Sequence, residues 1–475
     1  MKYALYLVVF FYALGFYYQE SYGKQFVEYF FLYLVFNVFY AFCFYSLIRK
    51  IYLKNKILAF MCFVLFFLVF LGFDLKSLIY LIYYQSDFYD FKLERLIGFV
   101  GDRELYLNTI LYVFIFKCAF LVCLFIFNNA KFSEVFNYKE LHVFKIEGSV
   151  FLVWVVFVIL LSIFTFFAQV YLEIGFLGKD LPFKISAIII YTRLLIIPLF
   201  FLAFIFLLSY QRSNNLILLN SLIFLFFTHT FMSAFLMTSK GYVVFFSFSV
   251  SMVLFLNKFS TYRIFKMTSL YWLVAFFLYG FFEFYRGIYV QNGYDHFLAI
   301  QYISLDYNQS ADSGGFDFVE NSSIVFLYLV IRVVGFDAVM QINDFISSFG
   351  YLGFFDVLLD GRNFSKMYTT DILGYSPDAP HSASPSLLGS ILMLSNNLYL
   401  FFILSFGYIF SCGLIFFKLS KSASPLKIPV SILFILIFSL CFTSGNIGMM
   451  IFCLVMLIIM PYVTFFINFM GVRSE

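Results

Sequence analysis

Apolar residues run through nearly the whole chain in long blocks, interrupted by short stretches that collect the charges. A bilayer hydrocarbon core about 30 Å thick takes roughly 20 residues of helix, or about 17 to 25 with tilt. By that measure the blocks predict twelve transmembrane helices, over 3–18, 29–48, 57–73, 107–127, 150–172, 187–208, 216–237, 242–256, 267–282, 390–417, 429–444 and 447–468. The opening stretch MKYALYLVVFFYALGFYY has no small-x-small cleavage site and a second apolar block follows closely, so it is read as the first span. The expected fold is an all-α polytopic membrane protein with about 12 transmembrane helices and one large extracytoplasmic loop. Three parts follow: helices one to nine in 1–282, the loop in 283–389, and helices ten to twelve in 390–475.

Composition removes the main rival class. The chain is 63% hydrophobic and 12% charged over 475 residues, whereas soluble domains average about 45–50% apolar and about 25% charged. Phe (77) and Tyr (37) exceed what interfacial belts need; the plain reading is codon bias in an AT-rich genome. Seven cysteines all fall inside apolar runs without metal-ligand spacing, so neither a disulfide framework nor a zinc site is expected.

Charge placement sets the orientation. With Met1 in the cytoplasm, the inner segments hold 16 Lys/Arg against 4 acids and the outer segments 12 against 22, the asymmetry that cytoplasmic loops show. Both termini are therefore expected in the cytoplasm. The segment 323–341, SIVFLYLVIRVVGFDAVMQ, is long enough to cross, but crossing would move Lys418, Lys421 and Lys427 outside. With Arg332 and Asp337 in its body, it is read as a helix lying on, or re-entering, the outer leaflet. The outer loop from Glu283 to Ser390 then carries 12 acids and 4 basic residues, and three of the chain's eight prolines sit in its last stretch, TTDILGYSPDAPHSASPSLLGS. Restrained φ at proline and turns at Gly374 and Gly389 make that stretch an ordered, irregular platform.

Two cations lie inside predicted spans. Arg193 sits six residues into the sixth span, roughly 9 Å deep at 1.5 Å per residue. It either snorkels to the outer interface or serves an anion site. Lys117, near mid-membrane in the fourth span, either pairs with a neighbouring helix or does the same. Lys240 in TSKG, Arg286 in FEFYRG, Arg332 and Arg362 in DGRNF belong to the outer face, where each would otherwise pair with loop acids. Arg193, Lys240, Arg286 and Arg332 converging at one depth would suit a pyrophosphate, since guanidinium forks match phosphate oxygens and an ammonium adds a mobile charge. His381, in PDAPHSASPS, is a candidate general base on an acceptor hydroxyl or else a packed surface histidine, and Asp378 is a second candidate. Arg362 and Tyr375 are candidate glycan contacts. No Walker loop, G-x-G-x-x-G, H-E-x-x-H or D-x-D motif is present, so nucleotide-sugar and ATP chemistry have no support.

With TSKG (238–241), the arginine of FEFYRG, IRVVGFDAV (331–339) and HSASPSLLGSILML (381–394) entering a late helix, the chain resembles the bacterial O-antigen polymerases, the repeat-unit polymerases of polysaccharide and lipopolysaccharide biosynthesis. The resemblance implies a glycosyltransferase of GT-C-like architecture in the bacterial inner membrane. Such an enzyme moves a growing glycan from undecaprenyl pyrophosphate to a hydroxyl of another lipid-linked repeat unit on the outer face. The implied partners are the undecaprenyl-pyrophosphate-linked oligosaccharide and the lipid bilayer, with a chain-length regulator as an open addition and no nucleic acid. No cofactor and no metal are expected, because arginines can neutralise the leaving group. An O-antigen ligase acting on lipid A core shares the architecture and donor. A polysaccharide flippase or transporter would instead place its important charges within the spans.

Overall fold

The computed structural model describes residues 27–77, 103–128, 144–146, 148–172, 185–210, 216–236, 241–257, 259–291, 335–350, 364–374, 385–395, 397–421, 427–444 and 472–474. Almost all of these are helical. Seven helical segments are long and apolar enough to cross a membrane: Leu34–Leu53, Lys56–Leu75, Glu104–Asn128, Gly148–Tyr171, Ile188–Tyr210, Leu216–Leu236 and Leu398–Phe416. They coincide with the second to seventh and the tenth predicted spans. Two shorter apolar helices, Phe245–Leu256 and Ile428–Ser439, fall in the eighth and eleventh. The first and twelfth predicted spans lie outside the described residues. Two three-residue strands, Phe144–Ile146 and Val472–Ser474, pair antiparallel with Lys145 opposite Arg473.

Side-chain caps set where several helices begin. A helix start leaves its first backbone N–H groups without partners, and a polar side chain three residues earlier can accept from one of them. Asn55 does so for the Leu58 N–H at 3.0 Å, Ser260 for Arg263 at 3.3 Å and Asn397 for Leu400 at 2.8 Å. Asn55 thereby separates the Val27–Lys54 and Lys56–Val69 helices with a single residue.

Two elements differ from the sequence reading, and a third is described in part. The predicted span 390–417 is two helices, Ser386–Leu394 and Leu398–Lys421, because Ser395 is extended and Asn397 caps a new start. The predicted span 267–282 is part of a helix that runs over Thr261–Gln291. At 1.5 Å per residue its 31 residues reach about 46 Å, well beyond a hydrocarbon core. Arg286 therefore lies on this helix and not in the loop. The segment 323–341, read as lying on or re-entering the outer leaflet, is described from Gly335 onward, and there a helix, Phe336–Phe349, buries Phe336, Val339, Met340, Ile342 and Ile346. Its apolar face packs against the Arg103–Asn128 and Ser386–Leu394 helices, and residues 323–334 lie outside the described residues.

The chain divides into two compact units. One comprises Met1–Lys139, Leu327–Ser422 and Ile437–Leu457, the other Glu140–Phe326, Ala423–Leu436 and Ile458–Glu475. In the second unit the Gly148–Tyr171 helix leaves Leu152, Val153, Phe164 and Phe167 more than half exposed, a continuous apolar face suited to lipid.

The first unit is organised around the end of the Lys56–Val69 helix, which continues as a π-helical turn, Phe70–Leu75. That turn holds buried Asp74. The ammonium of Lys117, itself fully buried, donates to Asp74 Oδ1 and to Asn37 Oδ1 and stands 5.2 Å over the Tyr40 ring. Two residues beyond Asp74, Lys76 Nζ donates to Asp337 Oδ1 at 2.6 Å. Asp337 is in the first turn of its helix, where the dipole favours an anion. Burial lowers the pKa of the Lys76 ammonium from its usual value, and Asp337 offsets part of that. At the same junction Gly335 meets Gly72 so closely that a Cβ on it would lie 2.1 Å from the Gly72 carbonyl oxygen. Of the two readings open for Lys117, the structure thus gives a pair with neighbouring helices.

Lys117→Ala or Asp74→Ala alone strands the opposite charge in an apolar interior and is expected to cost about 3–5 kcal/mol. The double replacement Lys117→Met with Asp74→Leu restores most of that loss, as thermal unfolding of the detergent-solubilised full chain would register. Gly335→Ala is expected to lower the same transition, because the clash is with backbone and has no side chain to move aside.

Candidate functional site

In the second unit, the predicted sixth span contains a proline at position 198. Proline has no N–H and its ring collides with the carbonyl four residues earlier in a regular α-helix. The helix answers with a wider turn: Ile185–Tyr191 passes into a π-helical stretch, Thr192–Ile196, before Ile197–Tyr210 resumes the α form. The N–H of Ile197 bonds to the Thr192 carbonyl, five residues back. The carbonyl of Arg193 would take its π-type donor from residue 198, which is the proline. Its partner comes from another helix instead.

That partner is His229 on the Leu216–Leu236 helix, whose Nε2 lies 2.9 Å from the Arg193 carbonyl oxygen. A carbonyl can only accept, so Nε2 carries the hydrogen. In the uncharged ring Nδ1 is then the acceptor, and the Ser162 hydroxyl of the Gly148–Tyr171 helix donates to it at 2.6 Å. On the side-chain end, Arg193 Nε donates to Ser233 Oγ at 2.9 Å. The Ser233 hydroxyl in turn donates to the His229 carbonyl at 2.8 Å. Three of these bonds close a circuit between the arginine turn and one helix, and the fourth, from Ser162, braces it from a third element.

Arg193 is 1% exposed, its guanidinium lies 5.2 Å over the Phe166 ring, and Nη1 is buried without a hydrogen-bond partner among the described residues. Among the described residues no carboxylate forms an ion pair with it. The side chain is turned inward onto Ser233 and does not snorkel. A charge in an apolar interior is tolerated when it is paired, hydrogen-bonded or facing something that completes it. Here, among the described residues, Nε has its acceptor and Nη1 has none. A donor held rigidly with its charge unneutralised is the arrangement that stabilises an incoming or developing anion, because no reorganisation is needed when the anion arrives.

Of the other residues singled out in the sequence, Arg286 lies on the Thr261–Gln291 helix. Lys240, Arg332, Arg362, Tyr375, Asp378 and His381 lie outside the described residues. The motif HSASPSLLGSILML is described from Pro385. There Ser386 is buried with φ 63°, a left-handed conformation unusual for a residue with a side chain. Its hydroxyl accepts from the Gly389 N–H at 3.3 Å. Among the described residues no group of three or more His, Cys, Asp or Glu is placed to hold a metal ion.

Ser162, His229 and Ser233 were not candidates from the sequence. Serines and a histidine inside an apolar span are individually unremarkable. The readable signal was Pro198, five residues after Arg193, which marks the carbonyl that would need an outside donor.

Comparison of the chain with protein-family models, with curated proteins and with solved structures returns no match in any of the three.

Ser233→Ala removes the Nε acceptor and leaves the guanidinium with no hydrogen bond among the described side chains. It is expected to destabilise the protein by about 1–3 kcal/mol, whereas Ser233→Thr keeps the hydroxyl and most of the stability; thermal unfolding in detergent distinguishes them.

Proposed function

We propose that this chain is a membrane-embedded glycosyltransferase that joins lipid-linked oligosaccharide repeat units, using a polyprenyl pyrophosphate both as carrier and as leaving group. The observation that carries this reading is Arg193: a buried guanidinium on a π-helical turn, oriented by Ser233, with Nη1 unpartnered and no carboxylate counter-ion among the described residues. An enzyme whose donor is an amphiphile needs its anion site at membrane depth, and a departing pyrophosphate needs fixed positive charge. In the step proposed, the bond between the anomeric carbon and the pyrophosphate oxygen breaks and a new bond forms from that carbon to the acceptor hydroxyl oxygen. The hydroxyl proton passes to a base, for which His381, with Asp378 second, is the candidate. The electron pair leaves on the pyrophosphate, where Arg193, together with Lys240, Arg286 and Arg332, would meet it. Arg362 and Tyr375 would contact the glycan. The bacterial inner membrane, with the reaction on its outer face, is the setting this chemistry requires.

A second reading has one observation in its favour. The Lys117–Asp74 pair lies within predicted membrane-spanning helices, and intramembrane ion pairs are common in transporters. A flippase or transporter would move lipid-linked glycan without forming a glycosidic bond.

Reconstitution of the full chain with lipid-linked repeat units alone separates the two. A ladder of longer glycans, formed without nucleotide sugar, is expected, and Arg193→Ala should reduce it by about 100-fold or more, as loss of a charge-stabilising donor does, while leaving membrane insertion intact. Unchanged single repeats that move between leaflets would support the transporter, and normal chain lengths in the Arg193→Ala protein would remove the arginine from the mechanism.

A further inference from the structure

His229 is the residue in the second unit whose chemistry the proposed reaction leaves unused. It is buried, histidine is the usual proton carrier of active sites, and it stands one hydrogen bond from the backbone of the proposed pyrophosphate-binding arginine. A role as acid or base fails on geometry. Nε2 is committed to the Arg193 carbonyl and Nδ1 to the Ser162 hydroxyl, so neither ring nitrogen offers a hydrogen or a lone pair to a substrate. What the ring does instead is fill the gap that Pro198 creates. The carbonyl of Arg193 has lost its α-type partner, since the Ile197 N–H goes to Thr192, and has no π-type partner, since position 198 has no N–H. An unsatisfied carbonyl in an apolar interior carries its full desolvation penalty, and a helix can escape that by rewinding or kinking. Rewinding by one residue would swing the Arg193 side chain by about 100° around the helix, away from Ser233 and Phe166.

We infer that His229 is a positioning residue: its Nε2–H holds the π-helical turn in the one winding that aims the Arg193 guanidinium, and Ser162 holds the ring in the tautomer this requires. Two features make the role specific. The His229 backbone carbonyl also fixes the Ser233 hydroxyl, so the same residue positions both ends of the arginine, main chain and side chain. The circuit also satisfies Nε and leaves Nη1 as the buried atom without a partner, so the ligand meets a guanidinium that has one edge already taken.

The inference rests on the proposed pyrophosphate reading for the ligand, but not for the turn, and the test separates the two. Gln at 229 places its side-chain N–H₂ near the position of the imidazole Nε2; Asn places its amide nearer Nδ1 and cannot reach the Arg193 carbonyl. The full chain in detergent is measured as wild type, His229→Gln, His229→Asn and His229→Ala, by amide exchange over residues 192–197 and by titration with farnesyl diphosphate. Loss of the bond is worth about 1.4 kcal/mol or a factor of ten, so Asn and Ala should speed exchange about tenfold and weaken diphosphate binding about tenfold, while Gln stays within about threefold of wild type in both. Gln is also nearer to His in size than Asn, so a size-matched His229→Leu protein, which fills the space and donates nothing, separates the bond from packing: it should match Asn and Ala in both readouts, and a Leu protein at the wild-type level overturns the inference. Should Ala fail to fold, the Gln and Asn proteins carry the comparison. Exchange and binding at the wild-type level in Asn and Ala overturn the inference, as does Gln behaving like Ala. If the exchange pattern holds but wild type does not bind farnesyl diphosphate, the positioning of the turn by His229 stands and the pyrophosphate reading falls.

Discussion

Taking a charge out of water into an apolar interior is the constraint from which the most informative features of this protein follow. The idealised cost for an ammonium or carboxylate is on the order of 20 kcal/mol, several kcal/mol after relaxation, so a buried charge survives only with compensation in place. Each unit meets that demand in its own way. The first uses opposite charges, Lys117 with Asp74 and Lys76 with Asp337, supplemented by Asn37 and the face of Tyr40. The second gives Arg193 a hydroxyl, an aromatic face and a braced backbone but no counter-ion among the described residues. Complete neutralisation reads as structure. Incomplete neutralisation among the described residues is what sets the second unit's arginine apart from the first unit's lysines.

Both arrangements sit on π-helical turns, Phe70–Leu75 and Thr192–Ile196. A turn one residue wider than α shifts the direction of everything beyond it and loosens the regular carbonyl-to-amide ladder. In the second unit the cause is visible in the sequence as Pro198. In the first unit the wider turn carries Gly72, which receives Gly335 at backbone distance, and Asp74, which meets Lys117. A third π-helical stretch, Tyr368–Ile372, lies where the Tyr368 hydroxyl meets Gln341 of the Phe336–Phe349 helix.

What could be read from the sequence was set by how local the controlling interaction is. Span positions depend on runs of apolar residues, and seven of them stand near the predicted windows. The split at 395–397 was missed because its cause, the Asn397 cap, is a single side chain inside an otherwise apolar window. The extension of the ninth helix to Gln291 was missed because hydropathy reports where lipid begins and not where helical hydrogen bonding stops. The Phe336–Phe349 helix falls in the segment read as lying on, or re-entering, the outer leaflet, with Arg332 as the local candidate partner for Asp337. The partner of Asp337, Lys76, is 261 positions away in the chain. Arg193 was legible as a costly residue, but the His229–Ser162–Ser233 circuit that orients it depends on which helices become neighbours, and no spacing along one helix encodes that.

The separation between Lys76 and Asp337 also carries a consequence for biogenesis. Asp74 and Lys117 are 43 residues apart and can meet as soon as the next long helix enters the bilayer. Lys76 has to wait for a carboxylate that the ribosome has not yet made. At about 5–20 residues per second, the intervening stretch takes roughly 13 to 50 s to synthesise. For that interval the Lys76–Asp337 pair cannot form. The first unit therefore closes late, after most of the polypeptide has been threaded into the membrane.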